Sequence, residues 1–91
     1  MAWRIEIDDK AKKELAALDK IVAKRITDFL RKRLSELEDP RSIGEALRGS
    51  KLGVFWKYRV GDYLIIASIE DQLLTVFVVR VGHRGDVYKK A

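Results

Sequence analysis

Residues 54–66, VFWKYRVGDYLII, alternate side chains with a period of two on either side of a Gly-Asp pair. That period marks β-strands with one covered face, and glycine supplies the positive φ that a two-residue hairpin loop needs. With Gly61 and Asp62 as the loop, Val60 pairs with Tyr63, Arg59 with Leu64, Lys57 with Ile66 and Phe55 with Ser68. One face then carries Val54, Trp56, Tyr58, Val60, Tyr63, Ile65, Ala67 and Ile69, which belong against other elements of the fold. The opposite face carries Phe55, Lys57, Arg59, Leu64, Ile66 and Ser68, a cationic and partly apolar open surface.

Downstream, Leu73 to Val81 is apolar except for Thr75 and Arg80, as expected of a central strand buried on both sides. The reversal at Glu70-Asp71-Gln72 makes it antiparallel to its predecessor. Upstream, residues 41–53 read as an irregular connector, holding three of the six glycines. Before it, residues 20–38 place Val22, Ile26, Phe29, Leu30, Leu34 and Leu37 on one helical face, and Asp39-Pro40 ends the helix. The basic residues on its other side, Lys24, Arg25, Arg31 and Lys32, read as a solvated face. A shorter helix with Ala11, Leu15 and Leu18 precedes it, capped by Asp8 or Asp9, and residues 2–7 alternate as a first strand. The expected fold is α+β: an N-terminal strand and a two-helix hairpin packed on one face of a mostly antiparallel four-stranded sheet.

The 91 residues suffice for one domain, 1–91, with a single modest core. The absence of cysteine excludes disulfides, zinc-thiolate sites and a cysteine nucleophile, and points to the cytoplasm. No apolar run approaches the roughly 18 residues of a membrane span. Net charge is +5, with ten Lys/Arg against nine Asp/Glu in residues 1–40 and nine against five in residues 41–91. The excess of positive charge in the second part attracts polyanions.

Lys57 and Arg59 leave one strand face in the same direction, Arg84 follows the last strand, and Tyr88 lies four residues beyond it. Fixed cations beside a phenol can bind a phosphodiester, stabilise extra charge in its transition state and stack a base. A lysine among cations gives up its proton more readily and is a candidate base, whereas arginine stays protonated. His83 is a second proton-transfer candidate. The pattern offers no carboxylate pair, metal cage or nucleotide-binding glycine loop, so no metal or other cofactor is called for.

Three segments, LRG at 47–49, KYRVGDY at 57–63 and VGHRGDVY at 81–88, together with the order of elements, resemble the RelE/ParE superfamily of bacterial toxins, most closely its RelE branch. The resemblance implies the toxin of a type II toxin–antitoxin pair, monomeric when free and neutralised in a hetero-oligomer by a small RelB-like antitoxin. It touches DNA only through that complex and needs no membrane. RelE-like toxins enter the ribosomal A site and cut mRNA without a metal, by attack of the 2′-hydroxyl that leaves a 2′,3′-cyclic phosphate. Carried over by position, Lys57 is the candidate base, Arg84 supports the leaving oxygen and Tyr88 orders or stacks the substrate. Arg59, His83, Arg48 and Lys51 are the expected substrate-binding residues.

One position departs from the pattern. Family members commonly read GDYR where this chain reads Gly61-Asp62-Tyr63-Leu64, and the missing arginine helps bind the scissile phosphate. Phe55 also stands where some RelE proteins carry a lysine. Reduced cleavage by an endoribonuclease of this kind is therefore expected. Two other readings use the same fold: a ParE-like inhibitor of DNA gyrase, or a catalytically weak toxin that acts by binding its antitoxin and repressing its operon.

Overall fold

The computed structural model describes residues 2–47 and 55–85. Strand β1 (Arg4–Ile7) leads into helix α1 (Asp9–Ala16), where the Asp8 carboxylate accepts from the Lys10 N–H at 3.3 Å and so caps the helix. Helix α2 (Lys20–Asp28) follows a tight junction. Its path continues beyond Asp28, first as a π-helical turn over Phe29–Arg33 and then as a 3₁₀ turn over Leu34–Glu36. The helical path thus ends just before Leu37, which is extended, two residues earlier than expected. Backbone carbonyls at this end take their hydrogen bonds from Trp3, whose N–H donates to Ser35 at 2.7 Å and whose indole donates to Glu38 at 3.2 Å.

The sheet has five strands in the order β1-β5-β4-β3-β2, formed by β2 (Glu45–Leu47), β3 (Phe55–Val60), β4 (Tyr63–Glu70) and β5 (Thr75–His83) together with β1. All neighbours are antiparallel except β1 and β5, which run parallel. The α+β architecture is as expected, with one strand more. The extra strand, β2, comes from the connector: three residues are too few to show a period, and glycine and proline around them read as loop.

The hairpin register is the expected one, with Val60 opposite Tyr63, Arg59 opposite Leu64 and Lys57 opposite Ile66. Gly61 alone in this loop has a positive φ, +60°, which fits a type II′ turn. Tyr58, Ile65 and Ala67 join Ile26, Leu30, Leu34, Val76, Val78 and Val81 in the core between sheet and helices.

Strand β5 departs from the even pattern. A bulge opposite Ile66 and Ala67 sets Arg80 and then Val78 as their partners, so Val79 is the extra residue. The irregularity lies next to a clamp from α1, in which Glu14 accepts from Arg80 Nε at 3.1 Å and from the Val81 N–H at 2.9 Å. Instead of being buried on both sides, β5 leaves Phe77 36% exposed, because the helices cover one face only. Leu73 and Leu74 precede the strand in a turn, and Leu74 takes a left-handed conformation with φ of 46°.

Tyr58 ties the segment before β2 to the core. Its hydroxyl donates to the Pro40 carbonyl at 2.7 Å, its ring lies 6.0 Å from that of Phe29, and burial pushes its phenol up to about 12. The fold favours the neutral phenol, so this contribution is complete below the ordinary value of 10 and is lost as pH rises through 12. Denaturant titrations between pH 9 and 12 are expected to show stability falling by about 2 kcal/mol, and Tyr58→Phe should remove that dependence.

Candidate active site

The hairpin register puts Lys57, Arg59 and Leu64 on the sheet face away from the helices, and β2 adds Glu45 directly opposite Lys57. Ile43, from the 3₁₀ turn Pro40–Ile43, and Arg84, just after β5, complete a groove of about 310 Å³. Its floor includes Leu64, 3% exposed, and its wall Ile43, 38% exposed. Three cations and one carboxylate line the rest.

Lys57 and Arg59 are anchored through their side chains, and Arg84 through its main chain. Lys57 Nζ lies 3.5 Å from Glu45 Oε2, and Arg59 Nε donates to the Gly61 carbonyl at 3.4 Å. The Arg84 N–H donates to the Asp62 carbonyl at 2.9 Å, which fastens the start of the tail to the β3–β4 turn. Outside the groove, Arg41 bridges Asp39 and Asp71 and lies over the Trp56 ring, with its centroid 5.9 Å away. The hydrogen bond from Arg41 holds the Asp71 carboxyl below the usual carboxylate range and keeps the guanidinium more firmly protonated. This bridge joins the turn that precedes β2 to the turn that precedes β5.

Lys57, Arg59, Arg84 and the departed position Leu64 thus meet in one groove. His83 does not line it. Strand alternation gives the place beside Leu64 to Gly82 and sets His83 beside Tyr63, ring centroids 5.6 Å apart edge to face, with its Nδ1 accepting from the Gly85 N–H at 3.4 Å. Arg48, Lys51 and Tyr88 lie outside the described residues. Glu45 was not singled out by sequence, and the one signal that finds it is an acid brought opposite Lys57 once β2 is known. Among the described residues no group of three or more His, Cys, Asp or Glu is placed to hold a metal ion, and no helix is long and apolar enough to cross a membrane.

A helical hairpin on one sheet face and a groove lined by Lys57, Arg59 and Arg84 on the other define a small α+β protein with positive charge gathered on its open face. A family model described as ParE toxin of type II toxin-antitoxin system, parDE, matches residues 5–88, and the chain belongs to that family of toxins. It is 34% identical over 94 residues to the mRNA interferase toxin RelE of Escherichia coli, covering all of this chain and 95% of RelE. Toxin RelG of Mycobacterium tuberculosis is 29% identical over 90 residues, covering 99% of this chain and all of RelG. Among solved structures, a chain of the toxin–antitoxin complex RelBE2 from Mycobacterium tuberculosis superposes with a TM-score of 0.82 at 27% identity, covering 94% of this chain and 95% of that one.

Proposed function

We propose that this toxin is an endoribonuclease that cuts mRNA in the ribosomal A site, slowed by Leu64, and that an antitoxin of the RelB kind neutralises it. The observation that carries the reading is the convergence of Lys57, Arg59 and Arg84 with Glu45 in one groove on the open sheet face. The naming of RelE as an mRNA interferase and the antitoxin in the RelBE2 complex support it by likeness.

In this groove the RNA 2′-oxygen attacks the adjacent phosphorus as the bond to the 5′-oxygen breaks, giving a 2′,3′-cyclic phosphate and a free 5′-hydroxyl. An ammonium held by a carboxylate has no lone pair to accept a proton, so Lys57 serves as a positive charge. Glu45 takes the proton of the 2′-hydroxyl. Arg59 holds the non-bridging oxygens, and Arg84 stabilises charge on the leaving 5′-oxygen, which takes its proton from water. Tyr88 stacks a base. Arg48 and Lys51 contact flanking parts of the substrate, and His83, turned away beside Tyr63, takes no part in the step.

The test is cleavage of a defined mRNA on programmed ribosomes with an empty A site. Slow cutting is expected, with Arg84→Ala about tenfold slower or worse, while DNA gyrase supercoiling is untouched. Gyrase inhibition without cutting overturns the reading in favour of a ParE-like activity. Cutting as fast as a toxin with an arginine at position 64 overturns the assigned role of Leu64.

A further inference from the structure

We propose that the tip of the β3–β4 hairpin is a second phosphate-binding position, where Arg25 of α2 holds a backbone phosphate of single-stranded RNA next to the one in the groove. The inference rests on the endoribonuclease reading and extends its substrate contact beyond the scissile bond.

Arginines from three separate elements meet at this one turn. Arg25 reaches it from the helix side, with Nη1 3.9 Å from where a Cβ on Gly61 would lie. Arg59 reaches it along β3 and donates to the Gly61 carbonyl at 3.4 Å. The main chain of Arg84 is fixed there by the 2.9 Å bond from its backbone N–H to the Asp62 carbonyl, and Arg84 lines the groove with Arg59. Glycine at 61 keeps the approach clear, since its positive φ disfavours any side chain.

Charge distinguishes this cluster from the arginines that the fold uses as ion-pair partners. Arg41 and Arg80 are bound to Asp71 and Glu14, and Lys32 lies 3.6 Å from Asp28. Among the described residues Arg25, Arg59 and Arg84 are in no ion pair with a carboxylate. Asp62 is the one acid of the turn, and gathering three arginines about it leaves an excess of positive charge that an anion would offset. Guanidinium forks match phosphate geometry. Arg59 and Arg84 line the groove and Arg25 comes from the other side of the sheet, so the cluster suits consecutive phosphates of a strand that bends over the turn. The basic side of α2, read from sequence as a solvated face, thereby gains a ligand at one residue.

The experiment is fluorescence anisotropy with labelled single-stranded RNAs of three and ten nucleotides, over a range of salt, on the full chain and on Arg25→Ala, Arg25→Lys, Asp62→Asn and Arg59→Ala. Arg25→Ala is expected to weaken the ten-nucleotide RNA about fivefold, to make its salt slope shallower by about one, and to leave the three-nucleotide RNA unchanged. Arg25→Lys should restore most of the loss and Asp62→Asn should tighten the longer RNA. Arg59→Ala should weaken both RNAs. If Arg59→Ala weakens both but Arg25→Ala alters neither affinity nor salt slope, the second position is wrong and the groove stands. Equal weakening of both RNAs by Arg25→Ala marks a structural role and also overturns it, as does a loss confined to capture of the cognate antitoxin. RNA binding insensitive to Arg59→Ala overturns the endoribonuclease reading itself.

Discussion

Leu64→Arg is expected to raise mRNA cleavage on programmed ribosomes by about a hundredfold or more. Leu64 is paired across the sheet with Arg59 on one side and Gly82 on the other, and it lines the groove that holds Lys57 and Arg84. A guanidinium issuing from this position would stand among the groups that face the phosphate. Gly82 has no side chain to obstruct it, and the groove has room for the longer chain. The gain arises because charge develops on the phosphoryl oxygens in the transition state, where a fixed cation lowers the barrier more than it aids ground-state binding. Leucine at 64 contributes instead to packing, being 3% exposed, so the variant should lose about 1–2 kcal/mol of stability. Two companions separate charge from shape: Leu64→Gln should stay at the slow level and Leu64→Lys should recover part of the rate. Equal rates for Leu64→Arg and Leu64→Gln would show that position 64 does not touch the reacting phosphate.

The residues legible in sequence were those that obey a period or sit at a turn with one solution. The β3–β4 hairpin had both, and its register followed from Gly61-Asp62 and from the burial of Tyr58, Ile65 and Ala67. Lys57, Arg59 and the departure at Leu64 followed with it, because strand alternation alone puts them on one face. Strand β2 was not legible: it owes its conformation to hydrogen bonding with β3, and nothing local in Glu45-Ala46-Leu47 demands it. Glu45 stayed hidden for the same reason. The bulge in β5 breaks strict alternation where sequence suggests an even apolar run, and it lies beside a carboxylate 66 residues away in sequence, Glu14, which bonds Arg80. His83 reads from sequence as a proton-transfer candidate near the cations, yet Gly82 takes the place beside Leu64 and strand alternation turns His83 to the other face, beside Tyr63. Arg25 read as one of several solvated cations, since only the packing of α2 against the sheet brings it to Gly61.

Tyr58→Ala should destabilise the protein by about 3–5 kcal/mol, whereas Tyr58→Phe should cost only about 1–2 kcal/mol. The side chain is 1% exposed and packs among Phe29, Leu34 and the core strands, so truncation leaves a cavity as large as an aromatic ring. Removing the hydroxyl alone leaves the Pro40 carbonyl short of its 2.7 Å donor in a buried place. The larger loss has a second consequence at the groove. Gly44 lies so close to Tyr58 that a Cβ there would stand 2.8 Å from the ring, which means that Pro40 and Gly44 are both seated on this one side chain. The next residue is Glu45, opposite Lys57. Emptying the site of the ring should therefore loosen β2 and separate the carboxylate from the lysine even where the remaining strands hold. Urea denaturation measures the first effect, and amide exchange over Glu45–Leu47 measures the second under conditions where the variant is still folded. Faster exchange there in Tyr58→Ala, with little change in Tyr58→Phe, is the expected pattern. Unchanged exchange in Tyr58→Ala would show that β2 is held by its pairing with β3 alone, and the link from Tyr58 to Glu45 would fall.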